Sequence, residues 1–267
     1  MILEFYKPQS IEEAVKFKNS SNQKNYFIGG GTELNSLIFR NSDFNVISIE
    51  NLGFDKLIAK NDYIEIGSSV TIQNLIESEI SPLLLKSAAK QIVNRNIRNI
   101  ATIGGNIGSN KSCSNLLPGL ICLDANLTIA TASGKSDIPV LEYISKEIND
   151  LIIKINVPKK NLNRKFALKN YTRNSTDISI ITSSVSLFLK NEVIESPIIA
   201  VGGVGKHIIR LTSIENLISQ KKLPEKSEIE NEIKKCINPI SDFRGSSEFK
   251  KHIAAVFTAD CLYKSIQ

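Results

Sequence analysis

Two glycine-rich segments, Gly29-Gly30-Gly31-Thr32-Glu33-Leu34 and Thr102-Ile103-Gly104-Gly105-Asn106, limit what this chain can fold into more than any other feature. Each ends an apolar run and is followed at once by small hydroxyl or amide side chains. Glycine admits positive φ and lets another group come close to the backbone. Successive backbone N–H groups in such a turn form a concavity for an anion. Either segment alone reads equally well as an ordinary tight turn. Together, about seventy residues apart, they suit two ends of one long phosphate-bearing ligand. They are not the dinucleotide fingerprint G-x-G-x-x-G, because the first glycines are contiguous and no acidic residue follows a second strand at the required distance.

The remaining composition narrows the class. The chain has 267 residues, 42% apolar and 22% charged, which suits a soluble globular protein of two modest domains. No apolar run approaches the length of a membrane span. Met1-Ile2-Leu3-Glu4-Phe5 lacks the pattern of a signal peptide, so a cytoplasmic location is expected. Cys113, Cys122, Cys236 and Cys261 form no C-x-x-C pair, and only His207 and His252 are histidines, so neither a zinc nor an iron–sulfur site is expected. The net charge of +6 is mild and lacks the basic stripes interleaved with aromatics that nucleic-acid binding requires. No nucleophile–base–acid constellation is present. A chain that grips a cofactor without such groups leaves the chemistry to the cofactor.

Hydrophobic periodicity lays out the elements. Ser10-Ile11-Glu12-Glu13 is a capping box opening a helix to about Lys18. Asn25–Ile28 and Val46–Ile49 read as strands, with helical spacing over Glu33–Arg40 between them, which makes a parallel strand–turn–helix–strand unit. Tyr63–Ser69 is a strand, Thr71 caps a helix to Glu77, Leu83–Val93 and Leu116–Leu123 are helices, and Leu127–Thr131, Ser136–Ile138 and Leu151–Val157 are strands. After Pro158 and the polar run Lys159–Arg164, Phe166–Arg173, Ile178–Leu189 and Glu195–Val201 read as antiparallel strands; Ser213–Gln220, Pro224–Ile237 and Ser247–Ser265 read as helices.

Gly29–Leu34 resembles the A-G-G-T-D-L turn, and Thr102–Asn106 the T-I-G-G-N turn, of the FAD-binding medium subunit of the molybdenum hydroxylase family, which includes the flavoprotein subunits of xanthine dehydrogenase and carbon monoxide dehydrogenase. Arg95-Asn96-Ile97-Arg98-Asn99 resembles the approach to the second turn, and Asp242–Lys250 resembles the downstream D-x-R-x-S-x-x-Y-R pattern. The likeness runs nearly the whole chain and is greatest to the branch of selenium-dependent purine hydroxylases.

The resemblance implies an α+β fold. A two-part FAD-binding domain of the p-cresol methylhydroxylase/vanillyl-alcohol oxidase type would span residues 1–158, with lobes 1–55 and 56–158. A C-terminal domain over 161–267, with a small antiparallel sheet and three helices, would follow. The resemblance further implies an oxidoreductase subunit that binds FAD and passes electrons from 2Fe–2S clusters in one partner subunit to NAD or another acceptor. A molybdenum-cofactor partner would hydroxylate the substrate, all within a hetero-oligomer without nucleic acid or membrane.

Residue by residue, it places Phe27 and Ile28 beside the adenine or pyrophosphate. Gly29, Gly30, Gly31, Thr32, Glu33 and Leu34 would lie around the diphosphate, with Thr102, Gly105 and Asn106 meeting it from the second lobe. Ser109 and Ser114 would follow the ribityl chain, Ile153 would be an apolar contact, and Lys169 would reach the flavin ring. Asn115, counted with the cofactor residues, stands where the family usually has aspartate. Ile92 stands where animal xanthine dehydrogenases cover the ring with an aromatic, which leaves Tyr171 as a candidate cover. Gly202-Gly203-Val204-Gly205 reads as a structural turn. The resemblance assigns no catalytic side chain and no metal ligand to this chain. A stand-alone flavin-dependent reductase of the same binding fold and a non-catalytic assembly subunit are the alternatives.

Overall fold

The computed structural model describes residues 2–20, 23–36, 42–92, 94–174 and 177–267. The first lobe is a parallel three-stranded sheet in the order β1-β3-β2, with β1 at Ile2–Tyr6, β2 at Asn25–Ile28 and β3 at Phe44–Ser48. The helix α1 (Ile11–Asn19) lies between β1 and β2. Ser10 caps it by accepting the N–H of Glu13 at 3.1 Å, so one half of the expected capping box forms; the Glu13 carboxylate reaches one residue past the cap and takes the N–H of Gln9 at 2.7 Å. Residues 32–35 make turns rather than helix, and the rest of the helical spacing expected over Glu33–Arg40 falls, from residue 37, outside the described residues.

The second lobe is a five-stranded antiparallel sheet in the order β4-β5-β8-β6-β7. Its strands are β4 (Leu57–Ala59), β5 (Tyr63–Gly67), β6 (Asn126–Thr131), β7 (Gly134–Pro139) and β8 (Leu151–Pro158). The helices are α2 (Ile72–Glu77), α3 (Leu83–Lys90), α4 (Arg95–Ile100), α5 (Ile103–Gly108), α6 (Leu116–Cys122) and α7 (Val140–Ser145). Val93, the expected end of α3, lies outside the described residues. A small core of Ala14, Ile47, Ile49 and Phe54 takes in Ala130 and Leu151 from the five-stranded sheet and so joins the two lobes.

The C-terminal part is an antiparallel sheet in the order β12-β11-β10-β9, with β9 at Lys165–Tyr171, β10 at Ile181–Lys190, β11 at Val193–Gly202 and β12 at Ile209–Arg210. The helices α8 (Thr212–Ile218), α9 (Lys226–Cys236) and α10 (Ser247–Ile266) complete it, so the expected sheet and three helices are present.

Alternation along β10 decides how this sheet packs. Ile181, Val185 and Leu187 join the core beneath α8, α9 and α10. Thr182, Ser184 and Ser186 face the other way, where Ser186 Oγ donates to Cys122 O at 2.5 Å and Cys122 Sγ lies 3.2 Å from Ser184 O. Small hydroxyl side chains on that face let α6 sit close against the sheet. Every residue of α6 is buried, because the second lobe covers one side and this sheet the other. A helix apolar all round is the pattern expected of such a position.

Candidate functional site

The two glycine segments converge. The bend after β2 brings Gly30 onto the C-terminal end of α4, where an added Cβ would stand 1.8 Å from Ile100 O. A Cβ on Gly29 would stand 2.7 Å from Thr102 Oγ1. Gly31 has φ +70° and rests on the Ile28 side chain; here the left-handed backbone itself calls for glycine. The turn closes by Asn35 N–H donating to Gly31 O at 3.0 Å and Ser36 N–H to Glu33 O at 2.9 Å. Among the described residues, the N–H groups of Gly30, Gly31, Thr32, Glu33 and Leu34 donate to nothing else in the chain. A run of backbone donors without acceptors is what an anion needs.

The second segment is the start of α5 rather than an open turn. Thr102 caps it, its Oγ1 accepting the N–H of Gly105 at 3.1 Å. The segment is seated by Ile103 N–H to Val70 O at 3.0 Å and Gly104 N–H to Ser68 O at 2.9 Å. Gly104 is pressed on Ser68, whose Cβ would stand 2.6 Å from an added Cβ. Gly105 and Gly108, three residues apart on one exposed face, are different. A Cβ on Gly105 would meet only its own cap, Thr102 Oγ1, at 3.0 Å, and one on Gly108 would meet nothing within 4 Å. Among the described residues nothing but that cap occupies the place of a side chain at these two positions, so a bare strip of backbone faces outward beside the Thr102 hydroxyl.

The flanking residues fall into two groups. Asn106, Ser109, Phe27, Ile28 and Ile153 gather around this junction. Ser109 Oγ donates to Asn106 O at 2.9 Å. Phe27 and Ile153 pack on the core that joins the lobes, and Ile153 O accepts the N–H of Ser68 at 3.0 Å, in direct line with the seat of Gly104. Glu33 pairs with Lys111 at 2.7 Å, which ties the first turn to the loop after α5 and neutralises the carboxylate beside the open amides.

Ser114, Asn115 and Lys169 are committed elsewhere. Ser114 Oγ donates to Asn106 Oδ1 at 2.7 Å and accepts the N–H groups of Leu116 and Leu117, both at 3.2 Å, so it caps α6. Asn115 donates to Gln91 O at 2.9 Å and accepts from Ser179 Oγ at 2.6 Å and Thr182 Oγ1 at 3.2 Å. Lys169 sits in β9 on the side of Ala167 and Tyr171, which face α10, while Phe166 and Leu168 face the second lobe. Its Nζ pairs with Asp260 at 2.5 Å and stands 4.2 Å from the Phe257 ring centre. Burial alone would raise the Asp260 carboxyl, but hydrogen bonds from Lys169 and Lys226 outweigh it and hold the group below its ordinary value. Tyr171 packs edge-on against Phe249 and Phe257 within the C-terminal part and covers nothing at the junction.

Gly202-Gly203 clamps the loop after α5. Gly203 N–H donates to Ser112 O at 2.8 Å, and a Cβ on Gly203, with φ +82°, would stand 1.8 Å from Ile180 O. Its amide is spent inside the chain, as a structural turn requires. Ile100, Ser68 and Lys111, which all contact the glycine segments, had no motif to mark them. Their roles come from the backbone atoms and charge that the fold brings to the glycines.

Residues 1–160 match the FAD binding domain in molybdopterin dehydrogenase, and residues 166–265 match the CO dehydrogenase flavoprotein C-terminal domain. The chain belongs to this family. It is a flavoprotein subunit of the molybdenum hydroxylase type, within an oxidoreductase family. The chain is 28% identical to the Escherichia coli K12 protein YgfM over all of its own length and 97% of that protein. It is 23% identical to the xanthine dehydrogenase FAD-binding subunit of Escherichia coli O157:H7, over 98% of this chain and 95% of that one. Its fold matches a chain of the Hydrogenophaga pseudoflava carbon monoxide dehydrogenase with a TM-score of 0.92, at 21% identity, covering 99% of this chain and 97% of the other. Among the described residues, no helix is long and apolar enough to cross a membrane.

Proposed function

We propose that this FAD-binding subunit takes electrons from 2Fe–2S clusters of a partner subunit and passes them to NAD or another acceptor, within a hetero-oligomer whose molybdenum-cofactor subunit hydroxylates a purine-like substrate. The observation that carries the cofactor part is the bare Gly105–Gly108 strip beside the unpaired amides of Gly30–Leu34. These residues fit a dinucleotide: the open N–H groups suit a diphosphate, and the uncovered backbone admits a flat or extended group at van der Waals distance.

In this reading the FAD-binding domain spans 1–158 and the C-terminal domain 161–267, in line with the spans of the two family matches. Gly29–Leu34 would hold the diphosphate with Thr102 and Gly105, Asn106 and Ser109 would line the chain beyond it, and Phe27, Ile28 and Ile153 would form the apolar bed. Ser114 and Asn115 would hold these parts in place from behind. Lys169, turned toward α10, is left out of the contact set. When bound, FAD supplies the redox chemistry that links one-electron clusters to a two-electron acceptor. The chain's own residues bind and orient it and exclude water from the lobe junction.

The purine assignment rests on the sequence likeness and on the xanthine dehydrogenase relative. Cytoplasmic residence is part of this reading: Cys113, Cys122, Cys236 and Cys261 are all free thiols, as a reducing compartment keeps them.

The test is to purify the tagged full chain from its native host. Recovery of FAD with iron–sulfur and molybdenum-cofactor subunits is expected. A lone chain that turns over an organic substrate by itself would favour a stand-alone reductase, and a chain that neither carries nor takes up FAD would favour an assembly subunit.

A further inference from the structure

We propose that Asn115 is a positioning residue, which fixes the C-terminal domain against the cofactor-facing helix α5 and acts on the cofactor only through that clasp. The inference rests on the FAD reading above and names a determinant of how well that site is held.

Two adjacent side chains at the start of α6 point to different partners. Ser114 ties α6 to Asn106 on α5 at 2.7 Å, while Asn115 ties it to β10 and the segment before it. The orientation of the Asn115 amide is decided chemically. Gln91 O can only accept, so the nitrogen must face it at 2.9 Å, and Oδ1 is left for the hydroxyls of Ser179 and Thr182. Both hydroxyl residues are 1% exposed, and Ser179 is held in turn by Asn170 Nδ2 at 2.9 Å.

A line of short hydrogen bonds therefore runs from β9 through Ser179, Asn115, the start of α6 and Ser114 to Asn106, beside the bare glycine strip. Buried polar networks with every member engaged are rigid, and losing one partner leaves the others uncompensated. The amide itself matters. Aspartate, the residue usual in the family, would keep the acceptor for Ser179 and Thr182 but set a carboxylate oxygen against Gln91 O. In this chain the neutral side chain is matched to a carbonyl, and a direct ligand role for Asn115 is not needed to explain it.

The test compares Asn115→Ala with two changes on the far side of the clasp, Ser179→Ala and Thr182→Val, and with Thr182→Ser, which keeps the hydroxyl. The readouts are FAD affinity by fluorescence titration of the full chain and amide exchange of residues 103–108. Asn115→Ala and Ser179→Ala are each expected to weaken FAD on the order of tenfold and to speed exchange in α5. Their combination should be no worse than the more damaging single change, as coupled neighbours require. Thr182→Val should show a smaller loss in the same direction, and Thr182→Ser should retain the parent behaviour.

Unchanged FAD affinity in Ser179→Ala beside a loss in Asn115→Ala would overturn the proposal in favour of direct contact. Unchanged exchange of α5 in both would overturn it outright. A parent chain that does not take up FAD would defeat the functional reading, while the exchange measurement still judges the clasp.

Discussion

Gly30 and Gly105 stand in segments of nearly the same composition and do opposite work. Gly30, like Gly29 and Gly104, is a packing glycine: the Ile100 backbone at Gly30, the Thr102 side chain at Gly29 and Ser68 at Gly104 occupy the place a side chain would take. A Cβ on Gly105 would meet only the Thr102 cap and one on Gly108 nothing within 4 Å, and the proposed cofactor would account for their bareness. The lesson is that a glycine motif marks closeness, and only the fold says whether what comes close is the chain itself or a ligand.

The most damaging way to probe that contrast is at Gly30. Gly30→Val places a Cβ on top of Ile100 O, at 1.8 Å before any branching atoms are counted. The lobe junction must shift, with a stability loss of roughly 3 kcal/mol or more, read by chemical denaturation. A folded Gly30→Val chain with parent stability would erase the distinction.

Gly105→Ala and Gly108→Ala should do the reverse. Each replaces a helical glycine with the best helix former, worth up to about 0.5–1 kcal/mol in favour of the fold at the unobstructed Gly108 and less at Gly105, where the new Cβ stands 3.0 Å from Thr102 Oγ1. FAD affinity should nonetheless fall on the order of tenfold or more, about 1.4 kcal/mol. Tighter folding with unchanged FAD binding would mean that the strip faces only water.

A smaller effect is expected from the ion pair between the segments. Glu33 and Lys111 are both about one-third exposed, so breaking the pair should cost under about 1 kcal/mol of stability. Its sign on binding is the sharper measurement. Lys111→Gln should weaken FAD a few-fold and Glu33→Gln should not, since only the first removes a cation beside the diphosphate. Equal effects from the two would place the pair outside the site.

Acid gives the weakest probe and one directed away from the glycines. Asp242 is held below its ordinary value of 3.8 chiefly by the hydrogen bond from Lys250, and Asp260 is lowered by Lys169 and Lys226 against its burial. A carboxyl with a lowered folded value stabilises fully above its unfolded value and loses that contribution as pH falls through the folded one. Below about pH 4 the C-terminal part should therefore loosen, as amide exchange in α10 faster than in the five-stranded sheet. Faster exchange in the sheet would reverse the expectation.

Several elements were legible because local chemistry and tertiary structure agree. The Ser10 and Thr71 caps, the β2 and β3 strands and the three C-terminal helices stand close to where periodicity put them. α5 was not legible as a helix, because three of its six residues are glycine, a composition that disfavours helix without outside support. The Thr102 cap and the bonds to Val70 and Ser68 provide that support. α4 and β1 went unread for a related reason: both are largely exposed and lack a clean apolar face.

The sequence by itself determined which ligand class the chain is shaped for and which family it belongs to, since both rest on residue types that must be present whatever surrounds them. An anion site needs unobstructed amides, and glycine with small polar neighbours supplies them. Only the tertiary structure decided which of those residues face outward. Strand alternation turns Lys169 to Asp260 in this structure, and Gln91, Ser179 and Thr182 take up the Asn115 amide. Side-chain direction depends on partners far away in the chain, and no local pattern carries that information.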